Sequence, residues 1–336
     1  MPRLIATEAE KRIDVPVKVL DHGEVMLIDY LGTDARVVDA ARTSYTTGTK
    51  KMSEDRALIH HLMRNAHTSP FEQVVLVFRL VLPLFVAAQF ARHRTARLNA
   101  ESFRFSEATD KFYLPDHLRN QDTVNKQGSI EAPFKAVSCP ECDGKLVIEV
   151  CEKKGAVSVG CPGCDGTGAF KEHLGLGAMR FSTQQAFAQY QKLIKAGVSR
   201  ELARTILPQS LYTTWYWQVD LHNLFHFLRL RLDWHAQYEI RVYAQALAEA
   251  AKAVAPICYE AFEEHVLYGV RLSRAETEAV RHLLRTQLER PEHQLDHAAA
   301  QFGIVSYRQV AELRKKVLPP VSASGDAPTL GGDHAA

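Results

Sequence analysis

Two stretches of this sequence have residue types and spacings that can do chemistry. The first is a pair of Cys-x-x-Cys knuckles, Cys139/Cys142 and Cys161/Cys164, in the strings CPECDG and CPGCDGTG, eighteen residues apart. Proline stiffens each turn and glycine lets backbone amides approach the sulfurs, so the four thiolates can converge on one ion. The reading is four-thiolate zinc, with an iron–sulfur cluster or a redox dithiol pair as alternatives. A closed four-cysteine site has no open position, so its role is structural, and a segment this short needs the metal in order to fold. The second stretch is QFARHRTARLNAESFRF, Gln89 to Phe105. On a helix, Gln89, Arg92 and His93 share a face at i, i+3 and i+4. The triple Arg92-His93-Arg94 is costly to bury without anions. Arg104, on a predicted strand face with Ser102 and Ser106, offers a donor fork suited to phosphate. The plainer reading of the same residues is a solvated basic helix end.

These residues also carry a resemblance. Arg92-His93-Arg94, seven residues, then Ser102 resembles the R-H-R-x7-S signature of flavin-dependent thymidylate synthases, and Asn99 and Arg104 match its extended form. His67-Thr68-Ser69-Pro70-Phe71-Glu72 looks like the family's H-x-T/S-P-F-E element, and Ala41-Arg42-Thr43-Ser44 like an earlier one. Asp220 to Ala244 is similar to the family's long helix. The four elements run in order over residues 20–265, outside the cysteine-bearing insertion. The resemblance implies reductive methylation of dUMP to dTMP, with methylenetetrahydrofolate as carbon donor and FAD reduced by NADPH. It implies flavin contacts from Ser44, Ser69, Glu72, Arg92, His93 and Arg94, with Asp220, His222 and His226 reaching the FAD of another subunit of a homotetramer. It implies a dUMP site of Gln89, Arg92, Ser102, Arg104, Arg204 and Arg231, with Arg104 and Arg204 at the phosphate. Arg231 takes the catalytic role of polarising the uracil ring, and His67 lies near the flavin and folate face.

The chemistry is consistent with these residues. Methylating uracil C5 requires electron density there, and an always-protonated guanidinium in a dry pocket stabilises the negative charge that develops on the N3/O4 side. Reduced flavin supplies hydride, and the protein has to orient the reactants. No cysteine nucleophile is needed. Ser102 has no adjacent base and reads as a substrate hydrogen-bonder. His222 and His226 would by default be ordinary surface histidines, and only the resemblance assigns them to flavin. Arg231, His235 and Glu239 fall at successive i+4 steps, and His235–Glu239 reads as a salt-linked helix face rather than a metal site. Where the family has Ser, Glu and Tyr, this chain has Arg97, Ala100 and Phe105. That departure keeps open a divergent enzyme of the same fold acting on another pyrimidine nucleotide.

The elements that must position these groups are partly legible. Glu24–Leu31 alternates as a strand. Asp34–Arg42 reads as a helix with Asp34 as N-cap, and Ser53–Asn65 as another. Gln73–Leu82 is apolar and β-branched, a buried strand, after which Pro83 opens a helix to about Arg94. Phe181–Lys195, Ser199–Thr205 and a long Leu221–Val254 read as helices, and LVIEV and AVSVG as short strands between the knuckles. Separate strands among helices indicate α+β. The resemblance makes this a central antiparallel sheet flanked by helices, with the long helix at a subunit interface and a small zinc ribbon inserted. The domain boundaries expected are 1–120 with 174–270 for the catalytic domain, 121–173 for the insertion, 271–318 for a helical extension and 319–336 for a disordered tail. A formal net charge of +2 argues against a protein built to grip a polyphosphate backbone, which disfavours the competing reading as a zinc-ribbon nucleic-acid binder. No apolar run reaches signal-peptide or membrane-span length, so a cytoplasmic protein with reduced cysteines is expected.

Overall fold

The predicted buried strand forms the middle of the main sheet. The computed structural model describes residues 4–43, 52–123, 126, 128–145, 147–152, 155–161, 163–164, 167–287, 291–302, 304 and 307–317. Five strands form the sheet: β1 (Val17–Val19), β2 (Gly23–Leu31), β3 (Val75–Pro83), β4 (Arg97–Ala100) and β5 (Tyr212–Asp220), in the order β1-β2-β3-β5-β4 and antiparallel throughout. In β3 the side chains of Leu76, Phe78, Leu80 and Leu82 alternate into the core and are fully buried. In β2 a bulge between Leu27 and Asp29 shifts the alternation, so Tyr30 rather than Asp29 is buried. The opposite side of the sheet carries Arg79 of β3 in an ion pair with Glu24 of β2, and an exposed Tyr216.

Around this sheet lie α1 (Asp34–Ala41), α2 (Met52–Arg64), α3 (Leu84–Phe90), α4 (Glu172–Lys195), α5 (Leu221–Arg231), α6 (Tyr238–Val254) and α7 (Pro256–Phe262). The apolar stripes of α5, α6 and α7, including Leu224, Phe227, Ile240, Tyr243, Leu247 and Phe262, join the buried face of β3 and β5 in one core. The Tyr243 hydroxyl donates to the Val81 carbonyl at 2.7 Å and crosses close over Gly23, where a Cβ would meet it at 2.1 Å. A second core of Phe103, Ala108, Phe112, Tyr190, Ala203 and Leu211 ties the segment after β4 to α4.

Four local expectations are corrected. The expected Leu221–Val254 helix is two helices, because the Asp233 carboxylate accepts from the His235 backbone N–H at 2.8 Å and diverts the chain between α5 and α6. The helix after Pro83 stops at Phe90, and Arg92 and His93 follow in tightened turns, donating to the carbonyls of Gln89 (3.2 Å) and Phe90 (2.9 Å). Gln89, Arg92 and His93 therefore do not share a regular helical face. Ser102–Ser106 is a turn rather than a strand: Phe105 N–H donates to the Ser102 carbonyl at 3.0 Å, Phe103 is buried and Phe105 is 83% exposed. Finally, Thr33 rather than Asp34 occupies the N-cap of α1. The Asp34 carboxylate instead accepts from the backbone N–H groups of Ile257 (3.1 Å) and Cys258 (2.8 Å), in the first turn of α7.

The inserted segment is made of small antiparallel ladders, 119–121 with 129–133, 137–138 with 169–170, and the hairpin 147–152 with 155–160. A second compact unit begins at Gly269 and contains the helices Arg274–Gln287, Pro291–Gln301 and Tyr307–Val317. The first of these starts in a capping box, Ser273 and Glu276 each accepting the other's backbone N–H at 3.3 and 2.7 Å. The expected tail, 319–336, lies outside the described residues. Among the described residues no helix is long and apolar enough to cross a membrane.

Candidate active site

Helix α5 runs between two of the motifs. At its N-terminus Asp220 is the N-cap, its carboxylate accepting from the Asn223 backbone N–H at 2.9 Å and the Asn223 side chain at 2.7 Å. The Leu221 N–H donates to the Val74 carbonyl at 2.8 Å, which docks the start of α5 on the turn Phe71–Gln73. That turn carries Glu72, whose carboxylate accepts from the Thr68 hydroxyl at 3.1 Å. Ser69 and His67 just before it are exposed, and the His67 ring stands edge-on to His61.

At the other end, α5 meets the Arg92-His93-Arg94 turn. Arg231 Nε donates to His93 Nε2 at 3.1 Å. The His93 ring packs edge-on against Phe227, and His226 lies 6.1 Å away between ring centroids. Burial, the Arg231 charge and His226 push His93 down to about 4, so its imidazole is neutral and has a lone pair for Arg231. Burial, with Arg229 and His222 adding to it, also lowers His226. Arg92 and Arg94 are exposed and, among the described residues, make no salt bridge. Exposed guanidiniums of this kind suit the phosphates of a dinucleotide.

A third group forms where the Ser102 turn meets the short helix Arg200–Ala203. Arg104 pairs with Glu201 at 3.4 Å, its backbone N–H approaches Ser102 Oγ at 3.4 Å, and Arg200 donates to the Phe105 carbonyl at 3.3 Å. Arg204 follows that helix directly and is half-buried. The Glu101 carboxylate accepts from the Thr214 N–H at 3.2 Å.

The sequence matches the family described as "Thymidylate synthase complementing protein" over residues 26–257. It is 45% identical over 274 residues to the flavin-dependent thymidylate synthase of Treponema denticola, covering 81% of this chain and 91% of that one. To the flavin-dependent thymidylate synthase of Thermus thermophilus it is 41% identical over 307 residues, covering 91% and 97%. The chain belongs to the flavin-dependent thymidylate synthase family. Its fold is also that of a UMP/dUMP methylase from Streptomyces cacaoi, solved bound with 5-Br dUMP, with a TM-score of 0.55 and 28% identity over 74% of this chain and 97% of that one.

Within the flavin-dependent thymidylate synthase motifs, the fold brings Arg231, His93 and His226 into contact range. It sets Asp220 and His222 at the start of the same helix, and Ser102 with Arg104 beside the helix that leads to Arg204. Ser44 lies outside the described residues. The expected His235–Glu239 link is absent. His235 pairs instead with Asp233 at 2.8 Å, and Glu239 is buried against Arg119 and accepts from the Tyr113 hydroxyl at 2.9 Å. A cavity of about 820 Å³ lies there, lined by Tyr113, Arg119, Ser129, Gln237 and Glu239 among others. Sequence reasoning missed Arg119, Tyr113 and Gln237. The one available signal was an acidic residue, Glu239, opening an otherwise apolar helix stripe. Gln89 joins this region to the motifs, its Nε2 donating to Gln237 Oε1 at 2.6 Å.

The four knuckle cysteines, Cys139, Cys142, Cys161 and Cys164, are buried and form a cluster of their own, with all Sγ atoms within 4.8 Å of one another. Cys139–Cys161 and Cys142–Cys164 are each 3.7 Å apart. A disulfide needs about 2.05 Å. Tetrahedral thiolates about 2.3 Å from one ion stand roughly 3.8 Å apart. The Gly168 N–H donates to Cys164 Sγ at 3.2 Å, as the glycine-rich knuckle leads one to expect.

Proposed function

We propose that this chain methylates dUMP to dTMP, taking the carbon from methylenetetrahydrofolate and reducing equivalents from NADPH by way of FAD. The observation that carries the reading is the Arg231–His93 contact, which joins the catalytic arginine to the middle of the Arg-His-Arg signature. A guanidinium held by a neutral imidazole has a fixed direction and keeps its remaining N–H groups for a ligand. Arg231 then stabilises negative charge on the uracil N3/O4 side as C5 becomes nucleophilic. Arg104 and Arg204 hold the nucleotide phosphate, and Gln89, Arg92 and Ser102 complete the dUMP site. Ser44, Ser69, Glu72, Arg92, His93 and Arg94 hold FAD, and Asp220, His222 and His226 contact the FAD of a neighbouring subunit in a homotetramer. His67 lies on the folate side. Bound FAD supplies hydride transfer; the chain's residues bind, orient and exclude water.

The spacing of the four sulfurs fits a structural zinc at Cys139, Cys142, Cys161 and Cys164, in a ribbon that decorates the catalytic domain. A cytoplasmic setting keeps those thiols reduced. Conversion of dUMP to dTMP by the purified chain with FAD, NADPH and methylenetetrahydrofolate, read by mass spectrometry, tests the function. A yellow, folded protein that forms no dTMP would overturn it. Ala100, where the family pattern that this chain resembles has a carboxylate, supports a second reading in which another pyrimidine nucleotide such as UMP is the substrate. The same assay with UMP decides between them.

A further inference from the structure

We propose that Arg119, at the root of the inserted segment, is a positioning residue for nucleotide binding: through Glu239 and Gln237 it dictates which way round the Gln89 carboxamide faces the substrate. The inference rests on the reading of Gln89 as a dUMP contact.

The Glu239 carboxylate is 2% exposed and is ion-paired with Arg119, whose side chain is 14% exposed. The same oxygen, Oε1, accepts from the Tyr113 hydroxyl at 2.9 Å, leaving Oε2 to accept from Gln237 Nε2 at 2.8 Å. An ionised carboxylate can only accept. Gln237 must therefore turn its NH2 towards Glu239 and its carbonyl towards Gln89. Gln89 must in turn donate, and its Nε2 does so at 2.6 Å. What Gln89 keeps for a ligand is its carbonyl oxygen and one remaining N–H. The orientation of that amide is set at a carboxylate two side chains away.

Arg119 keeps that carboxylate charged. Burial alone would raise Glu239, but the hydrogen bond and charge of Arg119 outweigh it and hold the group below its usual range. Arg119 itself is fixed from the insertion side. Its Nε donates to Ser129 Oγ at 3.2 Å, its guanidinium lies 4.9 Å from the Tyr238 ring centroid, and its strand pairs with 129–133. Without that charge a buried carboxyl protonates, becomes a donor as well as an acceptor, and no longer imposes a direction on Gln237.

The experiment measures dUMP affinity by calorimetry, and KM and kcat, on the full-length, FAD-loaded chain. Removing one partner of a buried pair risks unfolding, so the informative variant is the neutral pair Arg119→Met with Glu239→Gln. Arg119→Lys and Gln89→Ala are measured beside it. The neutral pair is expected to weaken dUMP binding and raise KM about tenfold, with kcat at saturation within about twofold. Arg119→Lys should restore most of the affinity. Added to Gln89→Ala, the neutral pair should cost nothing further, because both act through one amide. A folded neutral-pair variant with wild-type affinity, or losses that add fully to those of Gln89→Ala, would overturn the proposal while leaving the dUMP reading intact. Wild-type affinity in Gln89→Ala itself would instead remove the substrate role of Gln89, and the proposal with it.

Discussion

Arg231 donates its Nε–H to Nε2 of His93 at 3.1 Å, across 138 positions of sequence. Because a guanidinium cannot accept, this contact requires a neutral imidazole protonated on Nδ1. The last turn of α5 and the turn after α3 thus hold each other in register. One bears the arginine proposed to polarise uracil, the other the basic triple proposed to hold flavin.

Replacing Arg231 by Ala should lower turnover at least about 100-fold, the usual effect of removing a preorganised charge from a transition state. Flavin absorbance of the purified protein should stay near wild type, since the motif residues remain. Arg231→Lys should recover little, because a lysine lacks the planar fork that holds His93 and the ligand together. Stopped-flow or steady-state turnover beside the flavin spectrum is the measurement. Turnover equal to wild type would remove the role given to Arg231.

His93 should leave a signature in stability against pH. Its folded value near 4 lies below the unfolded value of about 6.5, so the unfolded chain binds more protons between the two. Stability from this site is complete above about 6.5 and is lost as pH falls towards 4. Other groups titrate in that window as well, so the comparison is with His93→Gln. Thermal midpoints of the two proteins should converge as pH drops from 7 to 4. Parallel curves would contradict the assignment of His93 as a buried neutral imidazole.

Chelation, or Cys139→Ser with Cys161→Ser, should release one zinc per chain by elemental analysis. Backbone amides of 147–152 and 155–160 should lose hydrogen-exchange protection, because the hairpin lies between the two knuckles that the four buried sulfurs hold together. Protection in β3 should persist. Iron in place of zinc, or a disulfide in the purified protein, would overturn the metal assignment.

Asp34→Ala should destabilise the fold by about 1–2 kcal/mol, the scale of a lost helix cap, read by urea unfolding. Its carboxylate serves two first-turn amides of α7, and burial leaves those amides little water as a substitute. A change within about 0.5 kcal/mol, the range of ordinary surface substitutions, would show that the contact is dispensable.

The sequence alone determined the elements with a strong local signal. An apolar, β-branched run made β3 a buried strand, and paired Cys-x-x-Cys knuckles drew four sulfurs together. Ordered motifs were enough to indicate the family. Where local hydrogen bonds compete with periodicity, reading by period failed. Ser102 and Asp233 each turn the chain with their own polar atoms, so a predicted strand became a turn and a predicted long helix became two. Asp34 looked like the cap of its own helix and caps another, because capping geometry alone does not say which helix arrives. The Arg231–His93 contact and the Arg119–Glu239–Gln237–Gln89 series were decided by tertiary structure alone. Apart from Gln237 and Glu239 their partners lie far apart in sequence, and residue type says which groups can donate or accept while only the packing says which of them meet.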